Sequence, residues 1–149
     1  KISFEIPPEA RYLGGSPDAL IDGCSASTNY QFGWQGWYGK DMVATIDLGE
    51  ERRIDSVSIA FLQDQQRWIF LPSDVVWECS NDMKDWHAFA ADRKSTSRLK
   101  GELSMHVTDH LKGARARYIR ITAKNLGDLP AWHGSKGKCW LFCDEIVVR

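Results

Sequence analysis

Val43-Ala44-Thr45-Ile46-Asp47-Leu48, then Gly49-Glu50-Glu51, then Ser56-Val57-Ser58-Ile59-Ala60-Phe61 is the stretch whose reading decides the fold. Ala44, Ile46 and Leu48 alternate with Val43, Thr45 and Asp47, and Val57, Ile59 and Phe61 alternate with Ser56, Ser58 and Ala60. A period of two is that of a strand with one buried face. The Gly-Glu-Glu segment reads as a turn over 49–53 that sends the chain back. Similar runs recur at Val75/Trp77/Cys79, Leu103/Met105/Val107, Ile119/Ile121 and Trp140 to Val148. Pro72-Ser73-Asp74, Ser80-Asn81-Asp82, Lys112-Gly113 and Gly134-Ser135-Lys136-Gly137 separate them as turn signals. Short strands so punctuated, with little helix, predict an all-β antiparallel sandwich.

Strand parity places the loops. If strand 43–48 leaves one end and strand 55–62 returns to it, segments 29–41 and 63–71 share that end. Counting on through strands near 75–80, 86–91, 102–108 and 116–123 brings loop 125–138 to the same end. These three segments carry Trp34, Trp37, Tyr38, Gln63, Asp64, Gln65, Arg67, Trp68, Trp132 and His133.

Aromatic rings on Gly- and Gln-rich connections suggest a binding surface. An indole edged by amides and carboxylates suits a sugar, which has an apolar C–H face and a fringe of hydroxyls. Trp68 and Trp132 are the exposed candidates. Trp34 and Trp37 stand between two readings, one plugging the sandwich end while the other faces solvent. Gln63, Asp64 and Gln65 offer hydrogen-bonding groups, Arg67 a forked donor and His133 a ring nitrogen. Trp77, Trp86 and Trp140 lie in strand-like runs and are assigned to the core.

The 149 residues, 43% of them hydrophobic and 26% charged, fit one domain spanning 1–149, with Pro7-Pro8 as a junction to something upstream. A formal net charge of −1 gives no general attraction to nucleic acid or anionic lipid. Arg93/Lys94/Arg98/Lys100 and Lys112/Arg115/Arg117 are the basic clusters, read as solvated turns. No apolar run is long enough to span a membrane, and no signal-like segment follows Lys1. Cys24, Cys79, Cys139 and Cys143 form no CxxC pair. They read as buried free thiols, with a Cys79–Cys143 bridge as the alternative.

The order of motifs carries a family resemblance. Asp22-Gly23, Ser27-Thr28-Asn29-Tyr30, Ile46-Asp47-Leu48-Gly49, Ile54 to Phe61, Ser80-Asn81-Asp82 before Trp86, Ala116-Arg117-Tyr118-Ile119-Arg120-Ile121 and Asp144-Glu145-Ile146 resemble the coagulation factor type C (discoidin) domain. They are similar also to its bacterial relatives, the family 32 carbohydrate-binding modules. Gly14-Gly15-Ser16-Pro17-Asp18-Ala19-Leu20, Phe61-Leu62-Gln63-Asp64-Gln65 and the Trp132-His133 to Trp140-Leu141-Phe142 region further resemble C-terminal modules of bacterial chitobiase-type β-N-acetylhexosaminidases. The resemblance implies a galactose-binding-like jelly roll that binds a galactose- or N-acetylhexosamine-type glycan through loops at one end. It further implies an attached glycoside hydrolase, a monomer, and a periplasmic, cell-surface or secreted location.

It implies also one structural calcium, Ca2+, at the Asp-Gly loop. Ala19, Ser27 and Thr28 would add oxygens to the charges of Asp22 and Glu145, whose positions match the family motif. In a plainer reading, Asp22 caps its own turn and Glu145 is a solvent-facing strand residue. The histidines show no transition-metal spacing. A catalytic reading would require two carboxylates such as Asp64 and Asp128 to face one glycosidic bond, and no nucleophile motif accompanies them. A docking role, with the module packed on a parent enzyme, and adhesion to protein or membrane compete with glycan binding.

Overall fold

The computed structural model describes residues 1–88 and 102–149. It is an antiparallel β-sandwich of strands β1 (Ile2–Phe4), β2 (Gln35–Tyr38), β3 (Met42–Asp64), β4 (Asp74–Ser80), β5 (His87–Ala88), β6 (Glu102–Lys124) and β7 (Trp140–Val148). Hydrogen-bonded neighbours run β2-β7-β3-β6-β4-β5, with β1 on β3. The strand expected over 86–91 is described only as β5, and its remainder lies outside the described residues, as do Arg93, Lys94, Arg98 and Lys100.

The expected turn at 49–53 is a correction. β3 does not break there: it stays paired with β6 from Met42↔Ala123 to Asp64↔Glu102, with register shifts between Asp47 and Arg52 and between Ile54 and Ser56. Gly49 (φ +87°) and Gly113 (φ +79°) lie in these irregularities, where the backbone needs a left-handed residue. Twenty-three residues would extend roughly 75 Å if straight. Yet Tyr38, four residues before β3, pairs with Trp140, and Ile69, five residues after it, bridges the same Trp140. The ribbon must therefore fold over on itself at its bulges. Parity holds because the bend reverses direction as a turn would have done.

The alternation read from sequence is what this folding buries. Ala44 and Ile46 from the first half of β3 and Val57, Ile59 and Phe61 from the second share one core with Trp77, Ile119, Ile121, Leu141 and Cys143. Residues of opposite parity, Ala60, Leu62 and Phe142, face outward and are covered: Trp34, Ile69, Tyr12, Ala26 and Tyr30 pack over them. The long segment before β2 is thus a second apolar layer pinned along β2 and β7 (Glu9 N→Gly36 O 2.8 Å, Gly36 N→Tyr12 O 3.0 Å).

Two of the sugar-binding candidates belong to these layers. Trp37 is 0% and Trp34 2% exposed. Trp37 lies on β2, and its indole N–H donates to the Ile6 carbonyl at 2.8 Å, while that of Trp34 donates to the Ser27 carbonyl at 2.8 Å. The neighbouring Gly36 marks close packing rather than a mobile loop, since a Cβ there would sit 2.6 Å from the Phe142 ring. Trp77 is core, as expected. Trp86 and Trp140 are only half-buried. Trp86 lies under the Arg120 guanidinium, 4.1 Å from its ring, and Trp140 meets Tyr12 edge-on at 5.0 Å.

All four thiols are free; Cys79, Cys139 and Cys143 are buried as expected, whereas Cys24 is exposed on the Asp-Gly loop. Charges concentrate at the bend end of the sandwich. Arg117 makes a forked pair with Asp47 (2.9 and 3.0 Å) and Arg115 pairs with Glu51 at 2.7 Å, so neither presents an open phosphate site. The Arg117 bond, helped by the Gly49 N–H, lowers the Asp47 carboxyl to about 2. Both termini lie near this end, Lys1 against Asp47 and Arg149 against Ser56.

Candidate functional site

At the opposite end the three predicted loops converge. The His133 ring donates from Nε2 to the Gln65 carbonyl at 2.7 Å, Trp140 N–H to the Trp68 carbonyl at 2.7 Å, and Asn125 Nδ2 to the Trp37 and Cys139 carbonyls at 3.3 and 3.1 Å. Lys138 N–H donates to the Tyr38 hydroxyl at 3.3 Å.

Two short 3-10 turns present the side chains. Ala131–His133 follows Pro130 and ends at Gly134, whose φ of +76° stops it and leaves Trp132 at the apex. Trp132 is 65% exposed, its ring 5.9 Å from His133 and 6.1 Å from Phe70, which is buried. The indole thus stands on a rigid aromatic base with its outer surface in water. Gln65–Arg67 ends at Trp68, held at φ +66° with its N–H on the Gln65 carbonyl. This is a costly backbone state for a bulky residue, stabilised by the ring's surroundings. The Trp68 ring lies against Gly137 and packs on Phe70, Leu129 and Cys139, so it is half-buried and serves the fold as well as the surface. His133 meets it edge-on at 6.4 Å. With Nε2 on the Gln65 carbonyl, the Nδ1 of His133 is buried and has no hydrogen-bond partner. Beside these turns an open hollow of about 490 Å³ is lined by Leu129, Ala131, Ser135, Lys136 and Gly137 among others.

Gln63 and Asp64 are corrections. Both are buried and offer no surface to a ligand. They end β3 at an inward-tucked corner where Asp64 also bridges Ile69. The Asp64 carboxylate instead pairs with Arg67 three residues on. The Arg67 side chain is about half exposed, and its guanidinium lies 4.9 Å above the Tyr30 ring. Gln65 is half-buried. Sequence reading overlooked Tyr30 and Phe32 on the loop before β2. Their signal was Tyr30-Gln31-Phe32-Gly33, an aromatic pair next to glycine in a segment that parity already placed here. Phe32 is 69% exposed.

The Asp-Gly loop meets the bulged end of β7. The register with β3 shifts between Ser58 and Ala60, and the extra residue Glu145 sits at φ +31°. This turns its carboxylate toward the loop, where Oε2 accepts the Gly23 N–H at 3.1 Å. Asp22 Oδ1 accepts the Cys24 N–H at 2.8 Å, and Asp144 Oδ2 the Ala26 N–H at 2.5 Å. Asp144 is buried and its Oδ1 has no partner. Burial pushes the Asp144 and Glu145 carboxyls above their usual range, and the negative charge of Asp22 adds to both shifts. Ala19 is buried in the Ala19–Ile21 turn, and Ser27 and Thr28 are exposed. The Ser27 carbonyl and hydroxyl already accept Trp34 and Asn29 N–H groups. Among the described residues no three His, Cys, Asp or Glu side chains form a ready chelating group.

Comparison with known proteins agrees with this architecture. The chain resembles a CBM32 module produced by Clostridium perfringens (18% identity, TM-score 0.58, covering 100% of this chain and 91% of that one). It resembles also a Streptococcus pneumoniae fucose binding module (18% identity, TM-score 0.60, covering 99% and 89%). It matches 30% of a longer chain described as a glycoside hydrolase (17% identity, TM-score 0.59, all of this chain). At such identities the likeness is one of fold. No curated protein matches the chain. The F5/8 type C domain matches residues 5–145, nearly the whole chain, and the chain therefore belongs to that family, with the fold of carbohydrate-binding modules.

Proposed function

We propose that the loop end binds a glycan of the galactose or N-acetylhexosamine type without catalysing its cleavage, and so holds an attached glycoside hydrolase, of the chitobiase-type β-N-acetylhexosaminidase class, at its substrate outside the cytoplasm. The observation that carries this reading is Trp132: a large indole, 65% exposed, fixed on His133 and Phe70 rather than hidden. Exposed aromatics held rigid lose little entropy on binding and offer one face to sugar C–H groups. Trp68 and Arg67 flank it with a second ring and a forked donor. The two carboxylates that a catalytic reading would need are otherwise engaged, Asp64 with Arg67 and Asp128 with Lys138. A glycan array with the purified chain should retain galactose- or N-acetylhexosamine-terminated ligands. A blank array, together with binding to the isolated catalytic domain or to anionic vesicles, would replace this reading with docking or adhesion.

We propose further that the charges of Asp22 and Glu145 hold a structural calcium, with oxygens of Ala19, Ser27 and Thr28 completing its shell. The support is the orphaned Asp144 Oδ1 and the mutually repelling, desolvated carboxyls, which a divalent cation would relieve. The ion would neutralise charge and fix the loop under Trp34, away from the sugar. Calcium at a hundredfold excess over its dissociation constant stabilises by about 2.7 kcal/mol, so the melting temperature should rise by roughly 5–10 °C over that in chelator. Glu145→Gln should abolish that rise. Identical melting in calcium and chelator would refute the site.

A further inference from the structure

Arg67, followed by Trp68 and stacked on Tyr30, connects two groups of aromatic rings at the loop end. On one side stand Trp68, His133 and Trp132, with ring contacts of 6.4 and 5.9 Å. On the other stands Tyr30, under the guanidinium at 4.9 Å and 6.4 Å from Tyr12. The exposed Phe32 lies on the same turn, its N–H held by the Asn29 carbonyl at 3.2 Å. Asp64 makes this link rigid. Its carboxylate is buried, so the pair it forms with Arg67 is shielded from water on one side and fixes the direction of the fork. A guanidinium has five N–H donors, and with Asp64 and the Tyr30 side chain engaging some of them, the half-exposed Arg67 keeps others for a ligand. Because Asp64 balances its charge, the fork serves hydroxyl oxygens better than it attracts an anion.

One pyranose can cover Trp132 or the Tyr30/Phe32 side, and Arg67, next to Trp68 in the chain and over the Tyr30 ring, links the two. From this arrangement we infer that the loop end is a platform of two subsites and that its ligand is a neutral oligosaccharide of at least two residues, bridging both faces across Arg67. Asp64 is a positioning residue for that bridge. The inference rests on the glycan reading above and deepens it.

Calorimetry with N-acetylglucosamine and its β-1,4-linked tetramer, and with galactose and its β-1,4-linked tetramer, tests it. In at least one series the tetramer should bind tenfold or more tightly than the monosaccharide. Phe32→Ala, at an exposed position, should remove most of that gain while leaving the melting temperature unchanged. Asp64→Asn should also reduce the gain, and Arg67→Lys, which keeps the charge but not the fork, should behave like it. Equal affinity for monomer and tetramer, or a gain untouched by Phe32→Ala, overturns the two subsites and leaves the glycan reading standing. Failure of all four sugars overturns this proposal, and only a blank array as well overturns the glycan reading.

Discussion

Trp37→Ala is expected to destabilise the chain by about 3–5 kcal/mol, because it removes a fully buried indole and leaves a cavity that a close-packed sandwich cannot collapse into. The loss also strands the Ile6 carbonyl, which accepts the indole N–H. For a chain of this size each kcal/mol is worth about 2–4 °C, so the melting temperature should fall by roughly 6–20 °C. Thermal melting checks this directly. A variant that melts like the wild type while losing glycan would return Trp37 to the binding surface.

Trp132→Ala should do the opposite: sugar affinity falls tenfold or more while melting stays within about 1 °C, since the ring has little to lose on the folded side. Stacking on a pyranose is worth on the order of 1–2 kcal/mol beyond hydrogen bonds, which also places binding of short glycans in the micromolar to millimolar range. Trp68→Ala should combine both effects, because that ring also fills the contact with Gly137, Phe70 and Leu129. Calorimetry and melting on the same three variants separate the roles. If Trp132→Ala binds as tightly as wild type, the exposed indole is not the sugar platform.

These contrasts show what the sequence could disclose. Alternation at 43–48 and 55–62 was legible because period two has one cause, a strand with one wet face. The continuity of β3 was not, because Gly49-Glu50-Glu51 reads the same in a hairpin and in a bulge. The convergence of loops followed from parity, which either device satisfies. Trp34 and Trp37 misled for a related reason. A glycine beside an aromatic can loosen a loop or make room for a packed ring, and here Gly36 makes room for Phe142. Asp64 was legible as an acid near the site. Its burial depended on Arg67 turning back to it, a relation of side-chain direction that no spacing rule supplies. Asp144 carried no mark to separate it from Glu145, since the bulge that swings the two carboxylates toward one loop is a property of the β3–β7 register.

The placement of the two termini has a mechanical consequence. Lys1 is paired beside Asp47 and Arg149 beside Ser56, whereas Trp140, at the other end of the same strand as Val148, is hydrogen-bonded to the Trp68 loop. Any pull between a glycan held at that loop and either terminus acts along the strands. The β1–β3 and β3–β7 ladders then bear it in shear, their cross-strand bonds sharing the load instead of parting one at a time. If the proposed glycan grip holds, a pull applied through either terminus would load these ladders in shear before it could peel the loop end open.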